Sequence, residues 1–209
     1  MTNNTHLITV TGPSLSGKTE FTKILEDLGN FHVITSVTTR PKRQHEIDGI
    51  DYHFVTEKKF KSMPMIQTTY FNGFNYGVSE EEVDKKSSKP ILWVIAPQSI
   101  KQVEDFAKKR NWIFTKVFVS NPQEVLIERF LERLKNDTLA DIKNYTKRLN
   151  NIITNEINWT HEAKEGVIGY DFKVFEFNAN NTQKVITDFY KYIQENNPSP
   201  LRQKIKFTC

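Results

Sequence analysis

The sequence predicts an α/β fold in which a mostly parallel sheet is flanked by helices. Strand-like apolar runs alternate with helical patterns along most of the 209 residues, and this alternation is typical of an open parallel sheet. A glycine-rich loop pattern follows the first run, and two segments without the alternation interrupt the chain. The predicted strands lie at 6–11, 31–36, 90–96, 112–119 and 171–177.

The segment after the first predicted strand matches the pattern G-x-x-x-x-G-K-[ST] at every fixed position. Its glycines let successive backbone N–H groups turn inward, and the following helix adds the positive end of its dipole. The loop is therefore predicted to hold the phosphates of a nucleotide. We expect Lys18 to reach the terminal phosphates and the Thr19 hydroxyl to bind the Mg²⁺ that bridges them. The predicted nucleotide-binding residues are Gly12, Pro13, Ser14, Leu15, Ser16, Gly17, Lys18 and Thr19.

Apolar residues at helical spacing predict how two helices pack on the sheet. The helix after the glycine-rich loop presents Phe21, Ile24, Leu25 and Leu28. The last helix presents Val185, Ile186, Phe189 and Ile193.

Two segments interrupt the alternation of strands and helices, at 37–78 and 126–155. The first is rich in basic and aromatic residues, and the second is charged and helical. In open α/β sheets ligands bind beyond the carboxyl ends of the strands, so insertions there are predicted to form a second substrate site and a lid. The predicted domain spans 1–195, with a core made of 1–36, 79–125 and 156–195, and 196–209 is a polar and basic tail.

Length, charge and cysteine content restrict the classes of protein to which the chain can belong. At 209 residues it can bury one full core, and its single cysteine, Cys209, argues against a disulfide framework and favours a reducing cytoplasm. No segment approaches 18 apolar residues and the first six residues lack the features of a secretory signal, so we expect no membrane span. The net charge of +4 is mild and does not indicate binding to a nucleic acid polymer.

The segment 36–54 carries a cluster of basic residues followed by a glycine turn and a tyrosine. Arg40 and Arg43 flank Lys42, and Tyr52 follows Gly49. Forked guanidinium donors and a phenol hydroxyl are suited to clamp a phosphate monoester. Taken alone, the cluster is equally consistent with a solvated basic loop.

This cluster resembles the signature of the guanylate kinase family, which has two threonines, two arginines, a glutamate, a glycine and a tyrosine at these spacings. The corresponding residues here are Thr38, Thr39, Arg40, Arg43, Glu46, Gly49 and Tyr52. The resemblance continues at 73–77, a second tyrosine turn, and at 169–172, the approach to the final strand, so it covers 6 to about 194. It implies an α/β P-loop kinase fold with an insert at 37–78 that binds a nucleoside monophosphate and a lid at 126–155. The implied reaction is transfer of a phosphoryl group from ATP to GMP or dGMP with Mg²⁺.

The resemblance also implies roles for residues of the acceptor site. Contact with the base is implied for Ser36, and the position of Gln67 is one through which the family usually recognises guanine. Glu46 belongs to the signature and is grouped with this site. The residues similar to those that hold the acceptor phosphate are Arg40, Arg43, Tyr52 and Tyr76.

The predicted lid resembles the family at one of its two arginine positions. Arg148 is similar to the second lid arginine, which reaches the transferring phosphoryl group. Asp137 stands eleven residues earlier, where the first is usual, so Arg133 on the preceding helix is our candidate for it. The alternative for Arg129 and Arg133 is a solvent-exposed charged helix. The expected catalytic residues are Lys18, Arg133 and Arg148.

The predicted base site departs from the family pattern at Gln67, at Val78 and in the run 91–96. Gln67 stands where the family usually has a carboxylate, and one amide offers a single acceptor oxygen to the N1–H and 2-amino groups of guanine. We expect weaker discrimination of guanine, because a buried unpaired donor costs about 1–3 kcal/mol. Val78 replaces a usual Ser or Thr, and the run 91–96, which includes Trp93 and Ile95, lacks the two aspartates with which the family's third strand usually ends. Trp93 has two interpretations, stacking on a different base or filling the core.

Three functions are compatible with these observations. The first is a nucleoside monophosphate kinase of the guanylate kinase type, a monomer or homodimer whose partners are ATP and the acceptor nucleotide. The second is a kinase of the same fold that acts on another acceptor, such as a modified or different deoxynucleoside monophosphate or ribose 1,5-bisphosphate. The third is a binding module of the kind found in scaffold proteins. The presence of Lys18 and Thr19 favours an enzyme, and the signature at 36–52 favours the first function.

Overall fold

The computed structural model describes residues 5–44, 46–84, 89–135 and 149–196. Its larger sheet has five strands in the order β2-β7-β1-β8-β9, and every neighbouring pair is parallel. This arrangement confirms the predicted parallel sheet. The strands are β1 (His6–Thr11), β2 (His32–Val33), β7 (Ile91–Val94), β8 (Ile113–Val119) and β9 (Phe172–Val174).

Each of the five predicted runs contains one of these strands, although every strand except β1 is shorter than predicted. All six residues of β1 are buried, because β7 and β8 flank the strand and helices cover both faces of the sheet. The edge strand β2 has only two residues. The Ile34 N–H after it still donates to the Leu92 carbonyl at 2.9 Å, and the chain then leaves the larger sheet to form the second one. An apolar run at such an edge overestimates the length of the strand.

The helices lie between the strands and at the end of the described chain. In chain order they are α1 (Lys18–Asp27), α2 (Glu57–Ser62), α3 (Glu80–Asp84), α4 (Ile100–Lys109), α5 (Gln123–Lys135), α6 (Ile157–Glu165) and α7 (Thr182–Asn196). A 3₁₀ turn covers Pro97–Ser99, and a π-helical turn covers Ile152–Glu156 just before α6. Within the described residues, none of these helices is long and apolar enough to span a bilayer.

The core has one cluster on each face of the larger sheet. On one face, Phe21 and Leu25 of α1 pack with Ile186, Phe189 and Ile193 of α7, which confirms the two predicted apolar helix faces. Val185, Ile24 and Leu28 pack at the margin of this cluster. The other cluster contains Trp93, which is 1% exposed among aliphatic and aromatic residues. Trp93 therefore fills the core and offers no face to a base.

A second, four-stranded sheet occupies the predicted insertion at 37–78. Its order is β4-β3-β6-β5, with strands β3 (Val37–Thr38), β4 (His53–Phe54), β5 (Met65–Phe71) and β6 (Phe74–Ser79). The hairpin between β5 and β6 turns at Asn72 and Gly73, which have φ angles of +52° and +89°. A two-residue turn with both φ angles positive matches the natural twist of a hairpin, and Asn-Gly is the pair that adopts it most easily.

Candidate functional site

One cavity of about 860 Å³ lies between the carboxyl end of β1 and the second sheet. Most of the site residues predicted from the sequence line it. They are Gly12, Ser14, Leu15, Lys18, Thr19, Ser36, Arg40, Arg43, Glu46, Tyr52, Gln67, Tyr76 and Arg133. Pro13, Ser16 and Gly17 complete the loop without being among the lining residues, and Arg148 lies outside the described residues.

The glycine loop, residues 12–19, connects β1 to α1 in a conformation that requires its glycines. Gly12 has a φ of +140°, and a Cβ atom at this position would lie 1.9 Å from the Val119 carbonyl oxygen. Gly17 has a φ of +91° and caps α1, which begins at Lys18. Backbone sterics penalise positive φ for most residues, so the motif and this shape belong together. The loop places the positive end of the α1 dipole at the cavity.

Lys18 folds over the mouth of the glycine loop. Its Nζ atom donates to the carbonyl oxygens of Gly12 at 2.8 Å and Pro13 at 2.6 Å. A flexible ammonium group in this position can exchange carbonyl partners for phosphate oxygens with a small movement.

Two residues that the sequence analysis did not assign hold the outer side of the loop. The Asn121 side-chain amide donates to the Ser16 carbonyl at 2.9 Å, and its oxygen accepts from the Phe177 N–H at 2.9 Å. Arg129 donates to the carbonyls of Leu15 and Phe177, both at 3.0 Å. The interpretation of Arg129 as part of an exposed charged helix was therefore wrong. Its partners lie more than 40 residues away, and the sequence carries no signal for them.

A third unassigned residue, Glu156, reaches the loop from the π-helical turn. It is fully buried, and its carboxylate accepts from the Ser14 backbone N–H, from the Ser14 hydroxyl at 3.2 Å and from the Asn151 amide at 2.9 Å. A buried carboxylate must be hydrogen-bonded, and here the glycine loop supplies two of the donors. The segment after the predicted lid is thus fastened to the loop.

The arginine cluster, Arg40, Arg43 and Glu46, lies on the side of the cavity formed by the second sheet. Glu46 is 6% exposed and sits between the two guanidinium groups. Its Oε1 accepts from Arg40 at 2.7 Å and Arg43 at 3.1 Å, and its Oε2 accepts from Arg40 at 3.0 Å and from the Arg43 backbone N–H at 2.9 Å. The alternative of a solvated basic loop is therefore wrong for the two arginines, because Glu46 fixes both in a partly buried arrangement.

The electrostatics of this cluster favour a charged Arg40, a charged Glu46 and a neutral Tyr52. Burial works against the charge on Arg40, but the hydrogen bonds that Arg40 donates to Glu46 and the nearby Glu46, Tyr76 and Tyr52 together outweigh it, and the pKa of Arg40 is raised. Burial also works against the charge on Glu46, yet the bonds from Arg40 and Arg43 lower its pKa below the ordinary value. Burial raises the pKa of Tyr52, whose ring lies 5.4 Å from the Arg40 guanidinium and 6.0 Å from the Tyr76 ring. The result is a set of fixed N–H and O–H donors suited to an anion.

A third group of polar residues lies deeper in the second sheet, and we call Gln67, Thr69 and Ser99 the amide cluster. Gln67 is 5% exposed, and its Nε2 atom donates to the Thr69 hydroxyl at 2.6 Å and to the Ser99 hydroxyl at 2.8 Å. The two hydroxyls also bond to each other. Thr69 lines the cavity, whereas Ser99 stands behind it in the 3₁₀ turn. Ser36 lines the cavity as well, and its carbonyl accepts from the His53 N–H at 2.8 Å.

The described residues contain no cluster of side chains that would hold a metal ion without a nucleotide. Across 5–44, 46–84, 89–135 and 149–196, no three His, Cys, Asp or Glu side chains come close enough to form a metal site. Thr19 lines the cavity one residue after Lys18. This donor set fits Mg²⁺ held mainly by phosphate oxygens and water, which is how that ion is usually bound in kinases.

Comparison with known proteins identifies the family. The sequence profile of the family described as guanylate kinase matches residues 4–164, well over half of the chain. The chain belongs to the guanylate kinase family. Other members of the family include the guanylate kinase of Sulfurimonas denitrificans, 29% identical over 194 residues, which cover 87% of this chain and 86% of that protein. The guanylate kinase of Helicobacter pylori strain J99 is 33% identical over 141 residues, which cover 64% of this chain and 66% of that protein.

A solved guanylate kinase has the same fold. The crystal structure of guanylate kinase from Anaplasma phagocytophilum superposes with a TM-score of 0.58, covering 97% of this chain and 93% of that one. Sequence identity between the two is 21%, so this likeness supports the fold and adds nothing about individual residues.

Proposed function

We propose that this member of the guanylate kinase family transfers the terminal phosphoryl group of ATP to GMP or dGMP, giving ADP and the nucleoside diphosphate. The observation that carries the proposal is that the glycine loop and the arginine cluster line one cavity. Two phosphate-binding groups that share a cavity can bring a donor and an acceptor phosphate together, and such positioning supplies much of the rate of phosphoryl transfer.

At the donor side, the proposal assigns ATP to the glycine loop. The α1 dipole and Lys18 favour negative charge there, and Lys18 stabilises the charge on the phosphoryl group during transfer. Arg133 lines the same cavity and supplies a further positive charge, together with Arg148 of the predicted lid. Mg²⁺ is assigned to the phosphate oxygens and the Thr19 hydroxyl, where it neutralises phosphate charge.

At the acceptor side, the proposal assigns the monophosphate to Arg40, Arg43, Tyr52 and Tyr76. Glu46 acts as the brace that keeps both guanidinium forks turned to the cavity. The base is assigned to Ser36 and Gln67. These roles correspond to a division into a core (1–36, 79–125, 156–195), an acceptor-binding insert (37–78) and a lid (126–155). A cytoplasmic location is part of the same proposal.

A second candidate is a kinase with the same chemistry and a different acceptor. It is favoured by one observation, the amide at Gln67 together with the apolar Ile95 on the cavity wall. Against it stands the arginine cluster, which is complete. A pure binding module is disfavoured, because the glycine loop already has the shape that holds phosphate.

The test is an ADP-release assay with Mg·ATP and a panel of acceptors. The panel contains GMP, dGMP, AMP, UMP, dUMP, dTMP, CMP and ribose 1,5-bisphosphate. We expect the turnover of GMP and dGMP to be well above the turnover of every other acceptor in the panel. Preference for one of those others would replace the proposal by the second candidate, and ATP binding without turnover of any acceptor would overturn both.

A further inference from the structure

The outer side of the glycine loop is held by two side chains that donate to consecutive backbone carbonyls. The Asn121 amide donates to the Ser16 carbonyl at 2.9 Å. The Nη1 atom of Arg129 donates to the Leu15 carbonyl at 3.0 Å. Both side chains are also bound at a second point, since the Asn121 oxygen accepts from the Phe177 N–H and Arg129 Nη2 donates to the Phe177 carbonyl. Each side chain therefore bridges the loop and one residue of the chain after β9.

The orientation of the Asn121 amide is determined by its two partners. The Ser16 carbonyl can only accept a hydrogen bond and the Phe177 N–H can only donate one. The NH₂ group must therefore face Ser16, and the oxygen must face Phe177. Asn121 is 3% exposed and Ser16 is fully buried, so these bonds are shielded from water. The Ser16 carbonyl is held in one direction.

The direction of a carbonyl determines the direction of the N–H group in the same peptide. A trans peptide is planar, and its C=O and N–H bonds point in opposite directions. Arg129 holds the Leu15 carbonyl outward. The N–H of this peptide belongs to Ser16, and it donates to the Pro13 carbonyl at 3.3 Å. The Pro13 carbonyl also accepts from Lys18 Nζ, so the Ser16 N–H faces the side of the loop on which Lys18 lies.

The next peptide follows the same rule. Asn121 holds the Ser16 carbonyl outward, so the Gly17 N–H of that peptide is directed inward. The outer side of Gly17 is closed, because a Cβ atom there would lie 2.8 Å from the Phe177 ring. A hydrogen bond accepted by a carbonyl also polarises the peptide and strengthens its N–H as a donor. Two consecutive N–H groups directed to one side form a concave site for an anion.

We propose that Asn121 and Arg129 are positioning residues of the donor site. They hold two consecutive carbonyls outward and so aim the N–H groups of Ser16 and Gly17 at the phosphates of the nucleoside triphosphate. Because these N–H groups are arranged during folding, binding does not have to arrange them. The inference rests on the proposed function, since it describes how the ATP site of that function is organised.

The first experiment measures the Kd of Mg·ATP by calorimetric titration in two variants of Asn121. Asn121→Asp keeps the acceptor for the Phe177 N–H, whereas Asn121→Leu has a similar size and adds no charge. Both lose the donor to the Ser16 carbonyl, and we expect both to raise the Kd about tenfold, with the Kd of GMP little changed. Asn196→Asp, at an exposed asparagine that ends α7, is the control for added charge. A wild-type Kd of Mg·ATP in either folded variant would overturn the role of Asn121.

The second experiment separates orientation from charge at Arg129. Arg129→Lys keeps the positive charge but has one ammonium group in place of the fork that reaches two carbonyls, and Arg129→Met keeps neither. We expect both variants to raise KM for ATP about tenfold. We expect kcat and KM for GMP to change little, because hydrogen bonds made both before and during transfer contribute to binding. A wild-type KM for ATP in Arg129→Lys would overturn the role of the fork.

The third experiment observes the two N–H groups by nuclear magnetic resonance of isotope-labelled protein. A phosphate oxygen deshields the amide proton that it accepts, so Mg·ADP is expected to move the signals of Ser16 and Gly17 downfield. At saturating nucleotide, we expect a smaller shift at Gly17 in Asn121→Leu or Asn121→Asp and a smaller shift at Ser16 in Arg129→Lys. A general loss of stability would not select one signal in each variant. Unchanged shifts in these variants would overturn the inference.

The inference and the proposed function can fail separately. Wild-type protein that binds Mg·ATP, shows both downfield shifts and responds to the variants as expected, but phosphorylates no acceptor, would support the inference and overturn the proposed function. Wild-type turnover of GMP with a KM for ATP that is the same in the variants of Asn121 and Arg129 would overturn the inference and leave the proposed function intact.

Discussion

The glycine loop and the amide cluster lie on the same cavity, but they are specified in different ways. The loop is specified by backbone geometry, because Gly12 and Gly17 adopt φ angles that other residues avoid. The amide cluster is specified by side-chain hydrogen bonds between β5 and the 3₁₀ turn. In the proposed function the backbone site binds the phosphate, which every nucleotide carries, and the side-chain site contacts the base. The side chains of the amide cluster can therefore change while the glycine loop stays constant.

The largest expected effect concerns the loop. Replacing Lys18 by alanine removes the mobile positive charge at the transferring phosphoryl group, and we expect transition-state stabilisation to fall by about 3 kcal/mol or more. This corresponds to a loss of kcat of at least about 100-fold in the ADP-release assay. Lys191→Ala is the control, since Lys191 is an exposed lysine on α7. Near-normal kcat in Lys18→Ala would contradict the assignment of the donor site.

The next effect tests the claim that backbone geometry specifies the loop. Gly12→Ala would place a methyl group 1.9 Å from the Val119 carbonyl, and we expect a loss of unfolding free energy of about 3 kcal/mol. Gly169→Ala is the matched control, because a methyl group there has nothing within 4 Å and should change stability little. Urea unfolding of both variants measures the difference. Equal midpoints for the two variants would show that the close approach at Gly12 is relieved at little cost.

A smaller effect is expected at the arginine cluster. Glu46→Gln keeps the shape of the side chain but removes the charge that holds Arg40 and Arg43, and hydrogen bonds to charged groups contribute about 1.5–3 kcal/mol each. We expect KM for GMP to rise about tenfold while KM for ATP is unchanged. Glu165→Gln is a control on the exposed surface of α6. Equal KM values for GMP in the two variants would show that the brace is dispensable.

The same variant gives the smallest effect, which depends on pH. The pKa of Glu46 is lowered in the folded protein from its ordinary value of 4.5, so its contribution to stability is complete above that value. The contribution is lost as the pH falls through the depressed folded pKa. We therefore expect the difference in unfolding free energy between wild type and Glu46→Gln to be constant from pH 7 to about 5 and to shrink between pH 4 and 2. Urea midpoints across this range measure it, and a difference that grows on acidification would contradict the sign.

The sequence predicted the parts of the molecule that follow local rules. The order of strand, glycine loop and helix follows from spacing and from glycine stereochemistry, and the parallel sheet follows from alternation. The apolar faces of α1 and α7 were also visible as periodicity. At the edge of the sheet the strand β2 proved shorter than its apolar run, because the chain leaves for a second sheet there.

Other parts depend on contacts between distant segments, which periodicity does not reveal. Arg129 bonds to Leu15 across 114 residues, and Glu156 bonds to Ser14 across 142. The basic cluster had two equal interpretations until Glu46 was seen between its arginines. The departure at Gln67 could be read in the sequence, but its hydrogen bond to Ser99, 32 residues away, could not.

The π-helical turn at Ile152–Glu156 has a consequence for how the chain tolerates changes in length. A π turn accommodates one residue more than the corresponding α-helical turn, and one residue in an α-helix corresponds to a rotation of about 100°. The extra residue therefore sets the angular phase between the chain before the turn and α6, while Glu156 still meets Ser14. Removing one residue from this turn would rotate the two sides of the turn relative to each other by about 100°. Either the Glu156 carboxylate would then turn away from Ser14, or the chain before Ile152 would leave in a different direction.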